Sequence, residues 1–190
     1  MSSDLTRSGR MLALLLTLTL TLVCGNAQAA PAAHIEQEVG AARLAGQGTF
    51  RWFGISVYDA ALWVGERGYL PAAPGAAPFV LDLRYARALD GKEIADASIE
   101  EIEKLGAGTQ AQRAAWLVKM RAIFPDVKEG SHLSGVFLPG SGVRFYLDGK
   151  ALAEIADPAF ARAFFAIWLD PASSAQSLRV ALLLNAAPRQ

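Results

Sequence analysis

The chain has 190 residues, with 18 lysines and arginines set against 18 aspartates and glutamates, for a formal charge of zero. That balance offers no electrostatic case for nucleic acid or an anionic membrane surface. The one cysteine, Cys24, excludes an internal disulfide and a thiolate metal cluster.

Residues 1–29 have the layout of a secretory leader. Arg7 and Arg10 form a basic n-region, Met11 to Val23 an apolar run, and Ala27-Gln28-Ala29 the small-x-small pattern read by signal peptidase. The run is shorter than the ~20 residues a spanning helix needs. Cys24 raises the alternative of lipoprotein processing, although Thr21-Leu22-Val23 lacks the small residue that usually precedes a lipidated cysteine. Cleavage after Ala29 removes Cys24 and leaves 16 basic and 17 acidic residues. The expectation is a periplasmic or secreted protein with one domain over residues 30–190 and no membrane span in the mature chain.

Residues 30–40 are alanine-rich without a clear period and read as a lead-in. From Ala42 to Val64 the pattern predicts strands, broken at Gly46-Gln47-Gly48 and bulged at Gly54. Both alternating faces are apolar there, which predicts a central position in a covered sheet. "RGYLPAAPGAAP" (67–78) is a loop punctuated by proline and glycine. Phe79 to Arg87 alternates, with Phe79, Leu81, Leu83 and Tyr85 facing one way. Asp90 and Glu93 predict a capping box for a helix striped by Ala95, Ile99, Ile102 and Leu105 and stopped at Gly106. Thr109 and Gln112 predict a second box, before Trp116, Met120 and Ile123, with Pro125 ending that helix. Three short strands follow between His132 and Ile155, the last two joined by an Asp148-Gly149 hairpin. Asp157-Pro158 opens "AFARAFFAIWLD", apolar almost all round and hence deeply buried. Ser173 and Gln176 cap the last helix. Strands, helices, strands and helices in one short chain make the fold class α+β.

Most chemistry finds no anchor. His34 and His132 lack metal-ligand spacing; "GAGTQ" (106–110) and "GSG" (140–142) lack a phosphate loop's lysine and strand-to-helix setting; no nucleophile elbow occurs. Glu100, Glu101 and Glu103 lie opposite an apolar stripe and read as a solvated face, and Trp116 and Met120 read as core. Arg51 stands apart. Counted by twos, it shares a face with Phe53, Ile55 and Val57, and an unpaired buried guanidinium is costly. It therefore reaches water, pairs with a carboxylate such as Asp59 or Asp82, or faces a cavity that receives an anion. Guanidinium suits a carboxylate ligand well.

The stretches "GQGTFRWFGISVYDAALWV", "LRYARALDGKEIADASIEEI", "FPDVKEG", "GVRFYLDGKALAEI" and "FARAFFAIWLD", in that order from Ala42 to about Leu184, resemble the chalcone isomerase-like family in its bacterial secreted branch. The resemblance implies a chalcone isomerase-like fold: an antiparallel sheet, helices layered on one face, and a ligand cleft between them. The family holds true chalcone-to-flavanone isomerases, non-catalytic fatty-acid binders and bacterial members of unsettled role. Arg51 stands where the resemblance implies an oxyanion-stabilising arginine, with one residue more between glycine and arginine than the pattern has. The other catalytic positions depart from it. The place of the catalytic threonine holds Phe53, and those of a tyrosine and an asparagine hold Ile94 and Glu101. Losing one such donor typically costs ~3 kcal/mol of transition-state stabilisation.

The resulting expectation is a periplasmic, non-catalytic binder of a fatty acid or similar amphipathic anion, with Arg51 and Tyr85 as ligand-binding residues. No cofactor, metal or nucleic-acid partner is implied. Two alternatives stay open: an intramolecular lyase of the chalcone–flavanone type, and a structural or assembly protein of the envelope. The last predicts a cleft filled by Phe164, Phe165 and Trp168.

Overall fold

A computed structural model describes residues 30–189; the expected leader, with Cys24, lies outside them. In chain order it contains helix α1 (Ala33–Val39), strands β1 (Arg43–Trp52), β2 (Ile55–Val64) and β3 (Phe79–Tyr85), and helices α2 (Gly91–Lys104) and α3 (Gln110–Ile123). Strands β4 (His132–Leu138), β5 (Gly142–Leu147) and β6 (Lys150–Ile155) and helices α4 (Pro158–Leu169) and α5 (Gln176–Leu182) complete it. The strands form one antiparallel meander in the order β1-β2-β3-β4-β5-β6. This is the expected α+β architecture.

Two tight hairpins shape the sheet. Asp148 (φ 49°) and Gly149 (φ 78°) join β5 to β6, and Phe53 (φ 46°) and Gly54 (φ 81°) join β1 to β2. Two successive left-handed residues match the twist of paired strands, so residues 53 and 54 form a turn where a bulge was expected. Trp52 therefore pairs with Ile55 and Arg51 with Ser56, and counting by twos across residue 53 fails. The break expected at Gly46-Gln47-Gly48 is absent. β1 runs through it, with a register shift between Leu44 and Gly46. Those glycines serve close approach: a Cβ on Gly46 would lie 2.0 Å from the Ala181 carbonyl oxygen, and one on Gly48 2.9 Å from Leu178 Cδ1. β1 is an edge strand, with α5 packed across it, and not the central strand its composition implied.

Phe79, Leu81, Leu83 and Tyr85 point together into the main core with Phe137, Phe145, Phe160 and Phe164, under the helices that follow β3. Full burial of such side chains stabilises by ~1.5–3 kcal/mol each. The opposite face is covered as well. Residues 30–40, expected as a lead-in, contain α1, whose Ile35 packs on Trp63, Val80, Val136 and Tyr146. Helices thus lie on both faces, one short helix on the outer side.

Capping follows the sequence in part. Thr109 and Gln112 make both bonds of a capping box, and Asp157 accepts from Ala159 N and Phe160 N at the start of α4. Asp90 stands at the N-cap of α2 without a side-chain bond; the carboxylate of Asp126 takes the Gly91 N–H instead, at 2.9 Å. The N-cap of α5 is Ala175, while Ser173 Oγ accepts from Ala175 N at 3.2 Å.

Candidate functional site

The helix-facing side chains of β1, β2 and β3 end in an aromatic seam beneath α4. Phe50 stacks on Tyr58 at 5.1 Å between ring centroids, and Tyr58 meets the edge of Tyr85 at 5.9 Å. Antiparallel register brings the three together, pairing Phe50 with Tyr58 and Tyr58 with Tyr85. Trp168 of α4 donates its indole N–H to the Tyr58 hydroxyl at 3.0 Å. Because α4 is apolar nearly all round, it turns Phe164, Phe165 and Trp168 into the space between sheet and helices, and all three are buried.

No protein group among the described residues accepts the phenol protons of Tyr58 and Tyr85, although Tyr58 Oη receives the Trp168 bond. Burial pushes both phenols well above their ordinary pKa; for Tyr58 the Trp168 bond works the other way and Glu101 adds to the rise, while for Tyr85 the neighbouring Tyr58 adds to it. Both stay protonated at any physiological pH, two adjacent neutral hydroxyls within an apolar seam. Glu101 lies nearby on α2. Burial opposes its charge, yet hydrogen bonds from Lys104 and Ser174, each at 2.6 Å, outweigh it and hold the carboxyl below its ordinary range. Ile94, at the other position where the resemblance implies a polar residue, packs against the core.

Arg51 and Tyr85 are not brought together. Tyr85 is buried in the seam, whereas Arg51 is exposed beside the β1–β2 turn, where its guanidinium donates to the Gly54 carbonyl at 3.4 Å. Neither expected carboxylate partner pairs with it: Asp59 accepts from Thr49 and pairs with Arg84, and Asp82 is held by His132 and Ser134. Sequence reasoning missed Tyr58 as a site residue and had Trp168 only as a side chain filling the cleft, not as a donor to Tyr58. Alternation along β2 was available to align Tyr58 with Tyr85, but nothing local pointed to a tryptophan 110 residues away.

A second polar cluster sits on the outer face, beside an open groove of about 800 Å³ lined in part by His34, Asp59, Trp63 and Arg84. Asp82 accepts from Ser134 Oγ at 2.7 Å and contacts His132 Nδ1 at 2.8 Å, while His34 Nε2 lies 3.0 Å from Ser134 Oγ. The set looks like a hydrolytic triad, but proton accounting excludes that role. The single serine proton goes to Asp82, so His34 must donate to Ser134 and cannot act as its base. Ser134 is also fully enclosed. The cluster ties α1 to the sheet. Among the described residues no group of three histidine, cysteine or acidic side chains is placed to hold a metal, and no helix is long and apolar enough to cross a membrane.

Comparison with known proteins agrees with this architecture. An uncharacterized protein of Haemophilus influenzae is 32% identical over 155 residues, spanning 82% of this chain and 71% of that one. The crystal structure of a fatty-acid binding protein of Arabidopsis thaliana superposes with a TM-score of 0.57 at 13% identity, over 77% of this chain and 89% of that chain. At that identity the likeness speaks for the fold. A family model described as chalcone isomerase-like matches residues 28–184, and the chain belongs to the chalcone isomerase-like family.

Proposed function

We propose that the protein is a non-catalytic binder of a fatty acid or a similar amphipathic anion, acting in the periplasm. The observation that carries the reading is the pair of neutral phenols, Tyr58 and Tyr85, set side by side in an apolar seam. A carboxylate is an acceptor only, and two neighbouring O–H groups can each donate to one of its oxygens. The name of the plant structure that shares this fold supports the same class of ligand. In this reading Arg51, exposed beside the β1–β2 turn and outside the seam, attracts the anion from solution, and the aliphatic tail contributes ~0.8 kcal/mol per buried methylene.

Native mass spectrometry of protein purified without detergent, then titrated with palmitate, tests this. A one-to-one adduct is expected. Tyr85→Phe should weaken it by about tenfold, the worth of one hydrogen bond to a charged group, and Arg51→Ala should weaken it with the fold intact. Protein that carries no lipid and takes up no palmitate defeats the proposal. A second reading, a structural or assembly protein of the envelope, draws support from the seam itself: Phe164, Phe165 and Trp168 fill it, so a guest must displace them. The isomerase alternative has no such support, since Phe53 is exposed on the hairpin tip.

A further inference from the structure

We propose that the tip of the β1–β2 hairpin is a membrane wedge that seats the protein on a phospholipid surface. Trp52, Phe53 and Ile55 are 60%, 87% and 58% exposed, and the Trp52 and Phe53 rings meet edge to face at 5.0 Å. Together they make a convex apolar knob; a Cβ on Gly54 would meet nothing within 4 Å. The same two-residue turn geometry recurs between β5 and β6, where its first position holds Asp148, a residue that tolerates the left-handed region and water. At the β1–β2 turn the sequence instead places a phenylalanine at φ 46°, a conformation unfavourable for an aromatic residue, and turns its ring outward.

The chemistry selects a bilayer over a protein pocket. The tight turn meets part of its own polar demand: Trp52 pairs with Ile55 across the strands, and the Arg51 guanidinium donates to the Gly54 carbonyl. What the tip offers a partner is mostly hydrocarbon, with the Trp52 indole N–H and one cation at its edge, a composition suited to the boundary between acyl chains and head groups. Arg51 is the single charged residue between Phe50 and Tyr58, placed to reach lipid phosphate while the rings enter, and tryptophan favours that interfacial depth. Because the chain has no net charge, docking depends on insertion and is weakly sensitive to salt. The inference is independent of what occupies the seam.

Trp52 provides its own reporter, since Trp63, Trp116 and Trp168 are buried. Protein produced with its own leader and purified without detergent is mixed with vesicles of phosphatidylethanolamine and phosphatidylglycerol, with and without brominated acyl chains. The expected result is a blue shift of tryptophan emission, quenching by bromine near the head groups, and co-sedimentation. In Phe53→Ser the apparent vesicle affinity should fall about tenfold or more, with palmitate binding and thermal stability retained. An unshifted wild-type emission, or equal vesicle binding by wild type and Phe53→Ser, overturns the proposal.

Discussion

Asp157→Ala should destabilise the domain by about 2–4 kcal/mol. One carboxylate oxygen of Asp157 accepts from Ala159 N at 2.9 Å and Phe160 N at 3.0 Å; the other accepts from Trp116 Nε1 at 2.9 Å. Loss of an N-cap costs ~1 kcal/mol. Trp116 is buried, and stranding its indole N–H adds ~1–3 kcal/mol. Asp157→Asn keeps one acceptor oxygen, so cap and indole cannot both be served and about half the loss remains. Burial opposes the Asp157 charge, but the bonds from Trp116, Phe160 and Ala159 outweigh it and hold the carboxyl below its ordinary 3.8. A carboxylate with a lowered folded pKa contributes stability above its unfolded pKa and loses it as pH falls through the folded value. The gap between wild type and Asp157→Ala should therefore be full at neutral pH and shrink below 3.8. Urea unfolding followed by circular dichroism measures it, with the slope unchanged. A loss under ~1 kcal/mol, or one that is purely additive with Trp116→Phe, refutes the assignment.

Two further outcomes test other contacts. Gly46→Ala drives a Cβ into the Ala181 carbonyl and should cost ~1–3 kcal/mol or more, read as a lower Tm and earlier proteolysis of α5. Burial lowers the pKa of His34 from 6.5, with Asp82 and Glu38 partly offsetting it. The folded protein thus favours the neutral ring, so the His34 contribution is present above pH 6.5 and is lost as pH falls below it. Hydrogen exchange in α1, corrected for intrinsic rates, should be faster at acid than at neutral pH, and His34→Gln should abolish the difference.

Elements whose signals are local were legible in the sequence. The alternation of β3, the Thr109–Gln112 box, the Asp148-Gly149 turn and the Asp157-Pro158 start all rest on residues a few positions apart. The misses share a different physical cause. α1 has only His34 and Ile35 buried, two adjacent positions that make no helical period. The Phe53-Gly54 turn was obscured because phenylalanine contradicts ordinary turn chemistry, and that displaced Arg51 from the face assigned to it. Glycines 46 and 48 suggested a break, although what they answer is a helix returning from the far end of the chain. For the site, Tyr85 came from strand alternation; its neighbours Tyr58 and Trp168 depend on register and on a layer contact that no spacing records.

Every hydrogen-bonded strand pair in the sheet joins neighbours in sequence. A chain delivered N-terminus first can therefore add its strands in order as they emerge, with β4 joining after the long connection that holds α2 and α3. The C-terminal stretch breaks that order. α5 must return to the first strand, and Arg43 there donates to the carbonyls of Asn185 and Ala187. Ring closure between the two ends is thus the last step available to the polypeptide, and a product lacking its final segment would keep a glycine-floored trough along its opening strand.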